Sequence, residues 1–422
     1  MRLLERLLGS SPAGRRPSSA ARSRQPSRQV GIVGTFDVEN YGDLLFPLIA
    51  RAMLERRLGP VDMVAFSPNA RSAPTWPYDV RTVLDLPEAL PSLSALLVGG
   101  GQIIRFDHGY PIPVDPRVHT PIDYWLTPAL LAALAGKPVI WNAIGAWTGS
   151  PPAPWYDDTL RAVLSASHLV GLRDEASREH LAAIAPQARL RFVPDTAFSL
   201  ARLWPLAEES AGFLAWRRAL GVRGPYVVVQ ADTRIGPSRP AIDALVAGLG
   251  VETGVLLPVC RCHGDSSDGL PPLPCRHTAR SDWPAPLLLG EIIGRATAVV
   301  ASSLHACITA IAYGVPVVRV PSFNVADRKF ALLDGFAGVA GIGRADAVAA
   351  VLARGRRRGR GPEPRAVEHA ARLERYWDEV AAGVLAPQRP ASGGCGATML
   401  RWAADMLPTL ETAGQKGGGS GP

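Results

Sequence analysis

Gly31-Ile-Val-Gly-Thr-Phe-Asp-Val-Glu-Asn40-Tyr-Gly42-Asp43 is the stretch on which the fold is decided. It opens in a short apolar run over 30–34, which suits a buried strand. It closes where Leu44, Leu45, Leu48, Ile49, Met53 and Leu54 take up helical spacing. Asp43 suits the N-cap of a helix over 43–58, with Pro47 in its first turn. Asn40, Gly42 and Asp43 then stand at the carboxyl end of a strand, where open α/β sheets bind ligands. Free amides at such a helix start favour an anion. The segment lacks the G-x-G-x-x-G spacing of a dinucleotide site, and Asn-Tyr-Gly-Asp also reads as an ordinary turn and cap.

The same strand-then-helix reading extends outward. Strands are expected at 30–34, 62–66, 94–98, 137–142, 168–172 and 190–193, with helices at 43–58, 121–135, 157–166 and 174–184 between them. A second set starts at Tyr226-Val-Val-Val-Gln230 and continues through 254–259, 297–301 and 315–320, separated by helices at 239–249, 286–294 and 304–313. Such alternation argues for parallel sheets with helices on both faces. The expected layout is an α/β chain of two Rossmann-like domains facing a cleft, at 30–200 and 225–345, joined by a linker over 201–224. Residues 346–387 read as an Arg-rich loop followed by a C-terminal helix that packs back across both halves. Residues 1–29, rich in Arg, Ser and Pro, read as disordered, and 388–422 as a mostly flexible tail.

Composition narrows the function classes. The chain has 422 residues, 47% apolar and 19% charged, enough to bury large cores and too apolar for a disordered protein. The formal charge of +8 is concentrated in two flanking stretches: residues 1–30 carry seven Arg and one Glu, and 354–365 carry six Arg and one Glu. The remainder is slightly acidic, so no globular face reads as a nucleic-acid surface. Glu5 and Arg6 break the opening apolar run, and His305 and Gly314-Val-Pro316 break the one at 301–318, so neither reads as a signal core or a membrane span. Five Cys, an odd number, suggest reduced thiols and a cytoplasmic protein. Cys260-Arg-Cys262-His263 with Cys275-Arg-His277 has metal-capable residue types but matches no standard zinc module, so no metal is expected.

Several strand ends carry chemistry. Gly99-Gly100-Gly101 follows the third strand and allows a backbone or a ligand to approach closely, or simply makes a tight turn. Arg173, at the end of the strand 168–172, can hold a carboxylate or phosphate through both arms of its guanidinium, or can pair with Asp174 or Glu175 at the surface. Asp195 follows the next strand, where it orients Arg173 or caps a turn. In the second half, Ser302-Ser303-Leu-His305 ends a strand and opens a helix, a position that suits His305 as a general acid or base. Arg328 and Lys329 follow the next strand and suit an anion, though adjacent cations there are more often solvated.

Together these segments resemble the polysaccharide pyruvyl transferase family. Asn40-Tyr-Gly-Asp43 is similar to the family's Asn-x-Gly-Asp start, Gly99-Gly-Gly101 to its glycine triplet, and Arg173-Asp-Glu-Ala-Ser177 to its Arg-Asp-x-x-Ser segment. Asp195 matches its strand-end Asp. Ser302-Ser-Leu-His305 with Gly314-Val-Pro316 matches its histidine motif, and Asp327-Arg-Lys329 falls where members carry basic residues. The order and spacing cover roughly 30–335. One departure stands out: some members have Arg two residues before the motif His, where this chain has Ser303.

The resemblance implies a GT-B-like transferase that moves pyruvate from phosphoenolpyruvate onto a sugar of a cell-surface glycan or exopolysaccharide as a ketal. It implies His305 and Arg173 as catalytic residues. It also implies substrate contacts from Asn40, Gly42, Asp43, Gly99, Gly100, Gly101, Asp195, Ser302, Ser303, Arg328 and Lys329. The partners it implies are phosphoenolpyruvate and a glycan or lipid-linked oligosaccharide, with no cofactor, no nucleic acid, and peripheral contact with the inner face of the membrane. A nucleotide-sugar glycosyltransferase of the same two-lobed shape is the rival reading, but 301–318 has no Asp or Glu for a ribose. A non-catalytic binding protein on the same scaffold is the third.

Overall fold

A computed structural model describes residues 28–105, 110–146, 154–321, 328–343, 348–350, 353 and 363–387. Two parallel sheets form the frame. The first contains β1 (Arg28–Val33), β2 (Val61–Ser67), β3 (Val80–Thr82), β4 (Leu96–Val98), β5 (Gly101–Ile104), β6 (Val139–Ala146), β7 (Leu169–Leu172) and β8 (Leu190–Phe192). Their order is β3-β2-β1-β4-β6-β7-β8, with β5 against β6. The second contains β9 (Tyr226–Gln230), β10 (Thr253–Leu257), β11 (His277–Arg280), β12 (Ala298–Ala301), β13 (Val317–Arg319) and β14 (Val339–Gly341), ordered β11-β10-β9-β12-β13-β14. All pairings between these strands are parallel.

The central strands explain this choice. All eight residues of β6 and all five of β9 are buried, as near-continuous apolar strands must be when helices cover both faces of a sheet. Each sheet reverses its winding direction once, the first between β1 and β4 and the second between β9 and β12. The loops leaving these strands open the crevice in which a doubly wound sheet takes its ligand. They are the loop after Val33, the Gly99–Gly101 turn, the loop after Gln230 and the Ser302–His305 turn.

The longer helices are α1 (Tyr41–Leu58), α2 (Leu126–Leu134), α3 (Pro154–Ala166), α4 (Glu175–Ile184), α5 (Ala211–Ala219), α6 (Arg239–Leu249), α7 (Pro286–Gly294), α8 (Leu304–Ala312) and α9 (Pro364–Val384). The α1 cap differs from expectation. Asn40, not Asp43, is the N-cap, its Oδ1 accepting the Gly42 N–H at 3.2 Å, which leaves Asp43 in the first turn with its carboxyl free to face inward. The helix expected over 121–135 divides at Trp125 into a 3-10 turn (Ile122–Tyr124) and α2. β3, β5, β11 and β14, each three or four residues long, lie outside the strands expected from the sequence.

The lobes meet along α1 and α8. Tyr41 N donates to Val259 O at 3.0 Å, Asn40 bridges Cys260, and the Tyr41 hydroxyl lies 2.8 Å from Thr309 Oγ1. Helix α9 packs back across both lobes. Arg57 of α1 pairs with Glu374 and Asp378 at 2.7 Å each, and the Tyr376 hydroxyl donates to Trp141 O at 3.0 Å. The His369 ring stacks on Phe198 of the first lobe and Phe336 of the second. Among the described residues, no helix is long and apolar enough to cross a membrane.

Candidate active site

His305 is the point where the two lobes converge. It sits in the first turn of α8, whose N-cap is Ser303, the Ser303 Oγ accepting Ala306 N. Its ring lies over Gly42 of α1, where a Cβ would stand 1.8 Å from Nδ1, so only glycine admits the imidazole there. Phe46, one turn further along α1, meets the ring edge-on at 5.3 Å between centroids. Gly100 in turn makes room for Phe46, since a Cβ at Gly100 would lie 2.2 Å from the phenyl ring. The glycine triplet therefore acts through packing. Gly99 lies against Val33 O, Gly100 admits Phe46, and Gly101, at φ +81°, lies beside the Asp43 carboxyl.

His305 Nε2 lies 3.3 Å from Asp195 Oδ2. The same oxygen lies 3.6 Å from Arg173 Nη1, and Arg173 Nε lies 3.9 Å from Asp174 Oδ2. Asp195 is held by its turn, its Oδ1 accepting Ala197 N at 3.0 Å, and Asp174 caps α4 by accepting Ser177 N at 2.7 Å. Glu175 pairs with Arg178. Arg173 is therefore not a surface ion pair: it is buried, between two capping aspartates. His305 Nε2, Asp195 Oδ2 and Arg173 Nε are all shut off from solvent and make no hydrogen bond among the described residues. Such a cluster of under-satisfied polar groups is costly for a fold and characteristic of a site.

The two aspartates facing His305 are driven apart. Burial pushes Asp195 up, but the opposing charges of His305 and Arg173 and the Ala197 amide outweigh it, so its carboxyl titrates below the usual range. Burial pushes Asp43 up as well, and there it prevails over His305, the Thr35 hydroxyl and Arg173. Thr35 Oγ1 donates to Asp43 Oδ2 at 2.8 Å.

Ser302 and Ser303 belong to a polar network at the end of β9. Their backbone N–H groups both donate to Gln230 Oε1, at 3.0 and 2.8 Å, and Ser302 Oγ donates to Asp232 Oδ2 at 2.7 Å. Gln230, Asp232 and Asp265 are members of this constellation that the sequence reading missed. The signal was present, because Gln230-Ala-Asp232 places an acid just after a strand, as Val193-Pro-Asp195 does. Arg328 and Lys329 open a 3-10 turn, but their side chains lie outside the described residues, as does all of Asp327.

The Cys/His group is split by the fold. Cys260 and Cys262 lie beyond the end of β10, near Asn40, whereas His277 pairs with Thr253 at that strand's start. Cys275 donates to His277 O at 3.1 Å, and His277 Nε2 lies 2.8 Å from Leu220 O. Burial raises the Cys260 thiol and raises Cys262 to about 12. Among the described residues, no three His, Cys, Asp or Glu side chains are grouped to hold a metal.

A family model for polysaccharide pyruvyl transferase matches residues 40–322, more than half of the sequence. The chain belongs to the polysaccharide pyruvyl transferase family. It is thus a member of a transferase family of polysaccharide biosynthesis, and the matched span runs from Asn40 through His305. No curated protein matches the chain in sequence. Among solved structures, the UDP-GlcNAc 2-epimerase of Methanocaldococcus jannaschii is similar at a TM-score of 0.50 and 11% identity, over 83% of this chain and 99% of that one. The glycotransferase of kitacinnamycin is similar at 0.44 and 14%, over 92% and 99%. The UDP-GlcNAc 2-epimerase of Neisseria meningitidis is similar at 0.45 and 11%, over 90% and 100%. At such identity the first of these speaks for the GT-B-like fold alone.

Proposed function

We propose that the protein transfers the pyruvyl group of phosphoenolpyruvate onto a pair of glycan hydroxyls as a cyclic ketal, releasing phosphate. The observation that carries this reading is the meeting of His305, from one lobe, with Asp195, from the other, at 3.3 Å, the same Asp195 oxygen lying 3.6 Å from Arg173. The reaction needs one proton-moving group and fixed cations for a carboxylate and a phosphate.

In this reading His305 takes the proton of the first sugar hydroxyl as its oxygen bonds to the enol carbon. His305 hands that proton to the methylene carbon, which becomes a methyl group, and the imidazole is restored to its starting state. The C–O bond to phosphate then breaks, and the second hydroxyl closes the ketal as its proton leaves with the phosphate. Asp195, 3.3 Å from Nε2, holds the imidazole in place. Arg173 neutralises the donor's carboxylate. Asn40, Asp43, Ser302, Ser303, Arg328 and Lys329 complete the donor and acceptor contacts, while Gly42, Gly99, Gly100 and Gly101 serve the site by the room they leave for His305, Val33 O, Phe46 and the Asp43 carboxyl. The acceptor is a sugar of a cell-surface or lipid-linked glycan, met at the cytoplasmic face of the membrane.

Titration with phosphoenolpyruvate and with UDP-sugars tests the reading. Saturable phosphoenolpyruvate binding, with a glycan product heavier by one pyruvate less one water, is the expected result. Binding of UDP-sugars alone would replace it with the glycosyltransferase reading.

A further inference from the structure

The end of β9 carries a cation that none of the assignments above uses. Arg234 lies four residues past Gln230, at the point where the second sheet reverses direction between β9 and β12. Its backbone N–H and its Nε both donate to Asp232 Oδ1, at 2.9 and 2.6 Å. Asp232 is buried, and its other oxygen accepts Ser302 Oγ at 2.7 Å, so this carboxylate ties Arg234 to the turn that presents His305. The guanidinium is thus held from behind by one edge. Among the described residues Nη1 and Nη2 make no hydrogen bond, although Nη2 forms a long ion pair with Asp265 Oδ1 at 3.7 Å. About a third of the side chain is open to solvent (36%), whereas Arg173 is nearly enclosed at 3%. A guanidinium fixed by a buried carboxylate and presenting two nitrogens without hydrogen bonds is pre-organised for an oxyanion with two acceptor oxygens.

We propose that Arg234 is the second lobe's phosphate clamp, binding the phosphate of the donor across the crevice from Arg173. This rests on the phosphoenolpyruvate reading for the identity of the donor. A donor with two anionic groups needs a fixed cation at each end, and the facing strand ends supply one from each lobe. Arg234 takes the phosphate because it is the more open of the two and can release a leaving group to solvent. Arg173, enclosed beside His305, faces the carboxylate next to the reacting carbon.

The test is calorimetric titration of the full chain with phosphoenolpyruvate and, separately, with inorganic phosphate. Arg234→Ala should weaken both by roughly ten- to a hundredfold, and Arg234→Lys should recover only part of the loss. Because Arg234→Ala orphans a buried carboxylate, the Arg234→Ala/Asp232→Asn double variant is titrated too, with a thermal melt as the folding control, and must show the same loss. If the wild type binds phosphoenolpyruvate and both variants bind it equally well, the clamp is overturned and the reaction reading stands. If the wild type binds inorganic phosphate but not phosphoenolpyruvate, the reaction reading fails, and the clamp survives only if phosphate binding falls in both variants. Binding of neither ligand by the wild type overturns both.

Discussion

The imidazole of His305 is placed by what its neighbours lack. Gly42 has no Cβ to block it, and Gly100 has none to displace Phe46 from its edge. His305→Ala should therefore lose about two to four orders of magnitude in turnover while the fold survives, as steady-state rates and a thermal melt will show. Gly42→Ala is the sharper variant. It leaves every polar group in place yet must push the ring aside, and a displacement of that kind costs roughly a hundredfold in turnover. Equal turnover in Gly42→Ala and the wild type would remove the observed ring position from the mechanism. Arg173→Ala should weaken phosphoenolpyruvate binding by roughly ten- to a hundredfold, with Arg173→Lys restoring only part of it. Unchanged affinity in a titration would leave Arg173 as a purely structural partner of Asp174 and Asp195.

Strands and their caps show what the chain makes legible. The runs leading to Val33, Val98, Leu172, Gln230 and Ala301 are apolar and bounded by Gly, Asp or Ser, so both sheets and the strand-end location of His305, Arg173 and Asp195 follow from pattern alone. The partners do not. That Gly100 serves Phe46, that Gln230 pins the Ser302 and Ser303 amides, and that Asp195 reaches His305 in the other lobe depend on tertiary contacts between residues far apart in the chain. The N-cap of α1 differs from expectation because Asn40 and Asp43 are equally good caps by residue type; in the fold Asn40 takes the cap, and the next residue's N–H docks onto Val259 O of the other lobe. Asp265 offers a test at this scale. Its Oδ2 accepts Val259 N, Cys260 N and Gln230 Nε2, at 2.9, 2.8 and 2.9 Å, while burial raises its pKa from 3.8 to about 6. A carboxyl raised by folding favours the folded state below its unfolded pKa and loses that contribution as pH rises through the folded one. This group alone should lower stability by about 2 kcal/mol on going from about pH 4 to about pH 7. Asp265→Asn keeps the acceptor oxygen without the charge and should flatten that stretch of the stability curve in denaturant melts. A wild-type slope retained in the variant would place the titration elsewhere.

At the scale of the molecule, the lobes are joined at α1, at α8 and by α9. Trp377 of α9 is fully buried, and Tyr376 reaches the backbone of β6. Trp377→Ala should cost about 3–5 kcal/mol and lower the melting temperature of the whole protein in one transition, because the helix braces both lobes. A melt that splits into two transitions would show that the lobes unfold independently.

Helix α9 also sets an order of events during synthesis. The surface it covers, on α1 and beside Trp141, is translated before the second lobe, and its cover only after the whole of that lobe. Until then the nascent first lobe displays an apolar stripe to solvent, the kind of surface that chaperones hold and that aggregates when they do not. Chains stalled just before residue 363 should therefore bind a hydrophobic dye or a holdase, and chains stalled past residue 387 and clear of the exit tunnel should release it.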